Sequence, residues 1–200
     1  MVDPLVTGRG TLAVPAFLPD ATRAGVRGTS SEDLRAVGIE GVVVNAFHLL
    51  RRPGARVVQA AGGIHRFMDW DRPIVSDSGG FQIWSLIRQD PNRGVIRDNE
   101  VIFREPTTGE KWNLTPERIV NLQLQLGSDV VVCLDDCTDA ESPESEQERS
   151  EVFSGTFGWG EAGDDKVIRV LGLDLQPAPR TRRLVRAHAL LRDDSLEFVL

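Results

Sequence analysis

Three short apolar runs, each followed by polar side chains, constrain the fold of this 200-residue chain most strongly. The runs cover residues 41–44, 73–75 and 129–134, and the polar residues that follow them are Asn45, Ser76, Asp77 and Asp135. Such runs are typical of parallel strands that are buried on both faces. Because helical patterns lie between them, the sequence predicts consecutive βα units, in which ligands bind at the carboxyl ends of the strands.

Two helices and a weaker strand extend this pattern. Residues 14–18 are apolar but contain a proline, which restricts them to a sheet edge, a strand end or a bulge. A short helix is predicted over residues 30–37. The clearest helix starts after Thr115, a good N-cap that is followed by proline, and stops at Gly127.

A hairpin interrupts the alternation of strands and helices. Two strand-like segments, residues 101–105 and 110–114, flank the turn sequence Pro-Thr-Thr-Gly at residues 106–109. The hairpin is predicted either as a lid that faces a ligand or partner, or as a decoration of the fold. The sequence leaves both interpretations open.

The segment Asp77-Ser78-Gly79-Gly80 is the first candidate site. Paired glycines allow a sharp turn or a close approach of the backbone to a ligand. An acid at the carboxyl end of a buried strand is well placed to meet that ligand. The same four residues also suit an ordinary turn, and taken alone they favour neither interpretation.

Several motifs together resemble those of the tRNA-guanine transglycosylases, or queuine tRNA-ribosyltransferases. They lie at residues 45–49, 52–54, 62–70, 76–82, 114–117 and 134–138, in the order and spacing of that family. The resemblance covers roughly residues 5–149 and implies a TIM-type (β/α)₈ barrel, of which this α/β chain would hold the N-terminal strands and helices. It also implies exchange of guanine in tRNA for a 7-deazaguanine, the queuosine precursor.

The resemblance assigns roles to the residues around the paired glycines. It implies that Asp77 is the catalytic residue that transfers protons, because cleavage of a glycosidic bond through an oxocarbenium-like transition state needs carboxylates. Asp77, Ser78, Gly79, Gly80 and Phe81 would line the base pocket. Phe81 would stack on the flipped base, an interaction worth about 1–3 kcal/mol.

Further pocket residues are implied at the ends of the other two runs. Asp135 matches the acid that recognises guanine, since a carboxylate accepts hydrogen bonds from both N1–H and the 2-amino group. Cys137 would form a wall of the same pocket. Asn45 and Gln82 are implied as pocket residues or as their supports.

Two features of the family are missing from this sequence. No segment after residue 150 matches the surroundings of the family's nucleophilic aspartate. The family's zinc site needs three cysteines and a histidine, whereas this chain has only Cys133 and Cys137, so no zinc and no other cofactor is expected. We therefore expect two parts, with residues 1–149 as the N-terminal half of a transglycosylase-type barrel and residues 150–200 as a divergent or out-of-frame tail.

The tail has patterns of its own. A strand is predicted over residues 167–171 and a basic amphipathic helix over residues 181–191. A shifted reading frame, a truncated gene and a genuine fused segment are alternative origins. We expect residues 152–200 to pack poorly, because nothing in their pattern is shaped to cover the open strand edges of a partial barrel.

Composition places the chain among cytoplasmic globular proteins. It is 40% hydrophobic and 26% charged, with no apolar run long enough to cross a membrane and no signal-peptide layout. The formal net charge of −7 requires tRNA to bind through a local cluster of cations. Arginines at positions 51, 52, 56 and 66 are candidates, with a solvated helix face as the alternative. His48 and His65 are interpreted as structural residues.

Two hypotheses of different class follow. The first is a base-exchanging transferase that binds tRNA and guanine or a 7-deazaguanine; without a recognisable nucleophile, we expect the isolated chain to lack exchange activity. The second is a non-catalytic subunit of the same family that binds tRNA or a catalytic partner. A homodimer and a heterodimer are compatible with both.

Overall fold

A computed structural model describes residues 4–13, 15–97, 99–134 and 143, together with the backbone of three short strands between residues 169 and 198. In chain order the strands are β1 (Leu5–Thr7), β2 (Gly10–Leu12), β3 (Val42–Asn45), β4 (Ile74–Asp77), β5 (Gly94–Ile96), β6 (Val101–Arg104), β7 (Lys111–Leu114), β8 (Val130–Val132), β9 (Arg169–Leu171), β10 (Ala189–Arg192) and β11 (Ser195–Phe198). The helices are α1 (Ser31–Ala36), α2 (Ala46–Arg51), α3 (Ala55–Ala60), α4 (Ile64–Met68), α5 (Gly80–Gln89) and α6 (Pro116–Leu126).

The central element is a parallel sheet with the strand order β3-β4-β8-β9. All three predicted buried runs contribute a strand to it, so the prediction of consecutive βα units is confirmed. The register of β3 and β4 pairs Val42 with Ile74 and Asn45 with Asp77. Within the described part of the chain this sheet is open and forms no closed barrel.

The two faces of the sheet pack into two separate clusters. Val42 and Ile74 belong to the cluster that the helices cover. Val43 and Val75 belong to the other cluster, which also holds Leu12 and Leu18 from the N-terminal segment. Since side chains alternate along a strand, Asp77 projects from the same face as Val75, away from the helices.

An extended segment, residues 19–22, lies along the free edge of β3. Asp20 forms a parallel bridge with Val43, and Ala21 N donates to Val43 O at 2.7 Å. The strand predicted over residues 14–18 is therefore wrong, because pairing begins only at the Pro19 carbonyl, which accepts from Val43 N at 3.1 Å. Proline itself has no N–H to donate to a ladder.

A second, antiparallel sheet with the order β5-β6-β7 is inserted between α5 and α6. The predicted hairpin is confirmed as β6 and β7, whereas the three-residue strand β5 is too short to leave a periodic signal in the sequence. The sheet packs on α2 through aromatic rings, with the Phe47 centroid 5.6 Å from that of Phe103 and 6.1 Å from that of Trp112.

Both predicted helices are confirmed together with their caps. The Ser30 side chain accepts from Asp33 N, and the Asp33 carboxylate accepts from Ser30 N, which completes a capping box at α1. Thr115 caps α6 through a single bond, in which its side chain accepts from Arg118 N. Gly127 ends α6 in the left-handed conformation that favours glycine.

The tail corrects two expectations. The strand predicted over residues 167–171 is confirmed for β9, which pairs in parallel with β8. The expectation that nothing in the tail covers an open edge is thus wrong at β8. The helix predicted over residues 181–191 is wrong at its end, because residues 189–191 lie in β10 and pair with β11. Residues 181–188 lie outside the described part.

Candidate functional site

The candidate site lies at the carboxyl edge of β3 and β4. Asn45 and Asp77 are the last residues of these strands and are register partners, as the run-then-polar pattern predicts. Asn45 Nδ2 donates to Asp77 Oδ2 at 2.5 Å and to Gln82 Oε1 at 3.0 Å. The fold therefore brings together three residues that the sequence singled out, from β3, β4 and the first turn of α5.

The amide of Asn45 has only one orientation that satisfies its neighbours. Its Oδ1 accepts from His48 N at 3.1 Å and so caps α2. A backbone N–H can only donate, so the amide oxygen must face it and the NH₂ group must face Asp77. Because Asn45 is 5% exposed, this arrangement is shielded from competing water.

Gly79, the first of the paired glycines, is required by contact as well as by conformation. Gly79 has a φ of 84°, and a Cβ at this position would lie 2.3 Å from Phe47 Cβ and 3.1 Å from Asn45 Oδ1. Glycine thus lets the loop after β4 approach the first turn of α2. Gly80 N donates to the buried Ser78 Oγ at 3.1 Å and begins α5. The segment therefore forms a turn, as one interpretation predicts, and its role as a ligand site stays a prediction.

Phe81 lies in the first turn of α5 and is half-buried. Its ring centroid is 5.7 Å from that of Trp84, with the two planes tilted by 31°. Phe81 is thus supported by a second aromatic ring one helical turn further on. Its predicted stacking on a base remains a prediction.

The other two predicted pocket residues, Asp135 and Cys137, lie outside the described residues. The strand that leads to them is well anchored. Gln123, fully buried on α6, donates from Nε2 to Val132 O at 2.9 Å and accepts at Oε1 from Val132 N at 3.3 Å. One amide thus satisfies both backbone groups at the end of β8. Sequence reasoning missed this role, although glutamine on the apolar face of α6 was the available signal.

An ion pair ties the antiparallel sheet to the edge that carries the site. Glu105, which is 4% exposed, accepts from Arg51 Nε at 2.7 Å and from the backbone N–H groups of Thr107 and Thr108 at 2.7 and 2.6 Å. Burial alone would raise the pKa of Glu105, but these hydrogen bonds outweigh it and lower the pKa to about 2. The sequence offered no signal for this pair, since its members are 54 residues apart.

His48 lies in the first turn of α2 and is half-buried. Burial lowers its pKa, and the neighbouring guanidinium groups of Arg23 and Arg51 lower it further, against a smaller opposing effect of Asp20. The imidazole is therefore held in its neutral form, so near neutral pH it can donate one hydrogen bond and accept one.

His65 lies at the opposite, amino end of the strands. Its Nδ1 is 2.9 Å from Trp70 O, and its Nε2 is 3.0 Å from Asp129 Oδ2, which also accepts from Ile74 N. These contacts join α4 to the beginnings of β4 and β8. They agree with the structural interpretation of this histidine.

Two cavities in the described part of the chain lie elsewhere. One of about 690 Å³ is bordered by His65, Trp70 and Gly127, and the other of about 1100 Å³ lies between α3, α6 and β7. Asp77 borders neither. We place the candidate site at Asp77 nevertheless, because the convergence of a carboxylate and two amides is chemically specific.

Zinc does not fit the described residues, which contain no group of three or more His, Cys, Asp or Glu side chains able to hold a metal ion. No helix in the described part of the chain is long and apolar enough to span a membrane.

The fold and the site define an α/β protein in which the Asp77 carboxylate accepts from the Asn45 amide at the carboxyl edge of a parallel sheet. The sequence profile of one family, queuine tRNA-ribosyltransferase, matches residues 3–166. The chain belongs to this family.

Individual relatives agree with the family match. The chain is 44% identical over 153 residues to a queuine tRNA-ribosyltransferase of Prochlorococcus marinus, which is 76% of this chain and 40% of the relative. It is 40% identical over 159 residues to that of Idiomarina loihiensis, covering 78% and 40% respectively. With the enzyme of Shewanella denitrificans the identity is 40% over 168 residues, covering 83% and 42%. The chain thus spans about two fifths of the length of these relatives.

Proposed function

We propose that this chain contributes the base-binding half of a tRNA-guanine transglycosylase, which exchanges guanine in tRNA for a 7-deazaguanine. The observation that supports this most strongly is the Asn45–Asp77–Gln82 hydrogen-bonded group beside the paired glycines. Its residues belong to the motifs shared with the family, and its carboxylate lies at the end of the sheet where ligands of α/β proteins bind.

The proposed exchange has two steps. A carboxylate nucleophile attacks C1′ of the nucleotide as the bond from C1′ to guanine N9 breaks, and the departing guanine takes up a proton. The incoming base then attacks C1′ through N9, loses its proton and releases the carboxylate. Asp77 is our candidate for moving these protons, with Asn45 keeping its carboxylate directed toward the site.

Base recognition is assigned to the remaining predicted residues. We propose that Ser78, Gly79, Gly80 and Phe81 form one wall of the base pocket, that Gln82 supports it, and that Asp135 and Cys137 complete it from the end of β8. Asp135 would accept from the N1–H and 2-amino groups of guanine.

The larger assembly is also part of the proposal. We infer that β3, β4 and β8 are consecutive strands of a TIM-type barrel that residues 1–149 only begin, and that residues 150–200 are a divergent or out-of-frame tail. The nucleophile has no recognisable counterpart after residue 150, so exchange depends on a residue from outside residues 1–149. tRNA as a partner, a cytoplasmic location and assembly as a homodimer or heterodimer belong to the same proposal.

Guanine binding and base exchange, measured separately, test this function. We expect the chain to bind guanine in equilibrium dialysis, Asp77→Asn to weaken that binding, and the matched surface variant Asp71→Asn to leave it unchanged. We expect no incorporation of labelled guanine into tRNA by the purified chain alone. Absence of guanine binding, or equal effects of the two variants, would contradict the proposed site. Binding without exchange even when the remaining part of a full-length relative is added would favour a non-catalytic subunit.

A further inference from the structure

A tight turn after the edge segment brings Arg23 next to the candidate site. The carbonyl of Thr22 accepts from Asn45 N at 3.3 Å, and the Asp20 carboxylate accepts from Thr22 N at 2.7 Å. Ala24 has a φ of 62°, a conformation that L residues rarely adopt, and its N–H donates to Ala21 O at 2.8 Å. The turn is therefore held at both ends, and it places Arg23 directly after Thr22, whose carbonyl binds the backbone N–H of Asn45, the residue that donates to Asp77.

Among the described residues, Arg23 forms no ion pair. Arg23 is exposed, and among the residues that the structure describes no carboxylate lies within ion-pair distance of it. Arg51, the other cation near His48, is already engaged by Glu105. The Asp20 carboxylate lies nearby, but its Oδ1 is occupied by Thr22 N and by the Thr22 hydroxyl.

His48 adds a neutral hydrogen-bonding group to this cation. It is in the first turn of α2, where its backbone N–H donates to Asn45 Oδ1, so His48 adjoins the same edge. The Arg23 guanidinium is near enough to the imidazole to lower its pKa. Within the described residues the imidazole ring of His48 has no hydrogen-bond partner, so the ring N–H is available to a ligand.

We propose that Arg23 and His48 together bind one phosphate of the RNA backbone, next to the nucleotide that Asp77 receives. This inference rests on the proposed function. Guanidinium groups suit phosphate oxygens because they offer paired donors in a plane, and a neutral imidazole adds a further N–H. A protein with a formal net charge of −7 needs such local cations if it is to bind a polyanion.

The position of this site favours a phosphodiester over free phosphate. A nucleotide whose base reaches Asp77 carries its own phosphates a short distance from that base, and Thr22 meets Asn45, the partner of Asp77, at this same edge. The site is also exposed rather than enclosed, so a free ion would gain little from it compared with a phosphate that is already tethered by the rest of the RNA.

Salt dependence of tRNA binding tests the proposal. Binding of labelled tRNA by the full chain would be measured from about 50 to about 300 mM salt for the wild type, Arg23→Ala, Arg23→Lys and Arg66→Ala. Each lost phosphate contact reduces the slope of log K against log salt by about 0.7–0.9. We expect this reduction for Arg23→Ala, with the slope retained by Arg23→Lys. Arg66 is one of the arginines that the sequence suggested for tRNA contact, but it lies exposed beside the cavity at the amino end of the strands, opposite the candidate site. Arg66→Ala should therefore keep the wild-type slope.

His48 is tested by a pair of variants. His48→Gln keeps an N–H donor and should retain most of the tRNA affinity at low salt, whereas His48→Leu should lose several-fold. Inorganic phosphate, added at constant ionic strength, should compete only weakly for the wild-type chain.

Several results would overturn the inference. An unchanged slope in Arg23→Ala, or an equal loss in Arg66→Ala, would show that Arg23 makes no specific contact. Strong competition by inorganic phosphate would identify a site for the free ion. A chain that binds guanine but shows no Arg23 effect refutes this inference alone, whereas a chain that binds neither guanine nor tRNA refutes the proposed function as well.

Discussion

Replacement of Gly79 by alanine should destabilise the protein through two separable effects. The left-handed conformation, with a φ of 84°, costs an L residue about 1–2 kcal/mol. The new methyl group would also lie 2.3 Å from Phe47 Cβ and 3.1 Å from Asn45 Oδ1, so α2 or the loop must shift. Overpacking of this kind costs about 1–3 kcal/mol. We expect a total loss of about 2–5 kcal/mol in the free energy of unfolding.

Gly127 provides a matched control for this substitution. Its φ and ψ of 87° and 28° are close to the 84° and 17° of Gly79, but a Cβ at Gly127 would meet no atom within 4 Å. Gly127→Ala should therefore cost only the conformational part, about 1–2 kcal/mol. The difference between the two variants measures the contact with Phe47 and Asn45.

Urea unfolding followed by circular dichroism would measure both variants. With a urea m-value of about 2 kcal/mol/M, Gly79→Ala should lower the transition midpoint by about 1–2.5 M and Gly127→Ala by less than about 1 M. Gly79→Ala should in addition weaken guanine binding, because the displaced Asn45 amide holds Asp77. If the two variants lose the same free energy of unfolding within about 0.5 kcal/mol, the reasoning is refuted, since the contact with Phe47 and Asn45 would then add nothing to the loss.

Three further predictions concern polar side chains. The pKa of Glu105 is lowered to about 2 in the folded chain, so its charged form stabilises the fold above the usual carboxyl pKa, and this stability is lost as the pH falls from about 5 toward 2. Glu105→Gln should cost about 2–4 kcal/mol at pH 7 and flatten unfolding curves measured across that window; an unchanged pH profile would contradict the assignment. Gln123→Leu should cost about 2–4 kcal/mol in urea unfolding, because Val132 N and O lose their partner, whereas a loss below about 0.5 kcal/mol would show that they find another. Arg23→Ala should raise the pKa of His48 toward its usual value in an NMR titration without restoring it fully, because burial remains the larger cause; a pKa that stays unchanged or falls would place the guanidinium too far away.

Local sequence signals determined the parts of the fold that depend on neighbouring residues. Apolar runs identified β3, β4 and β8 because strands buried on both faces need uninterrupted apolar side chains. Ser30 and Thr115 identified helix starts because a capping side chain binds backbone N–H groups only two or three residues away. The same kind of reasoning placed Asp77 at a strand end, where the structure has it.

Pairing between distant segments could not be predicted in this way. Residues 181–191 show a helical period, yet residues 189–191 pair with β11, because a ladder of backbone hydrogen bonds outweighs a weak local preference. The edge of β3 is taken by residues 19–22 rather than 14–18, a choice that depends on which backbone groups can meet Val43.

The sequence by itself therefore determined the family, the buried strands, the capped helices and the acid at the end of β4. Only the tertiary structure decided how that acid is held. The contact between Asn45 and Asp77 joins residues 32 apart, and Gly79 is required because Phe47 lies against it. Such contacts depend on the register and close packing of elements that are distant in the chain, and periodicity in a sequence contains no record of either.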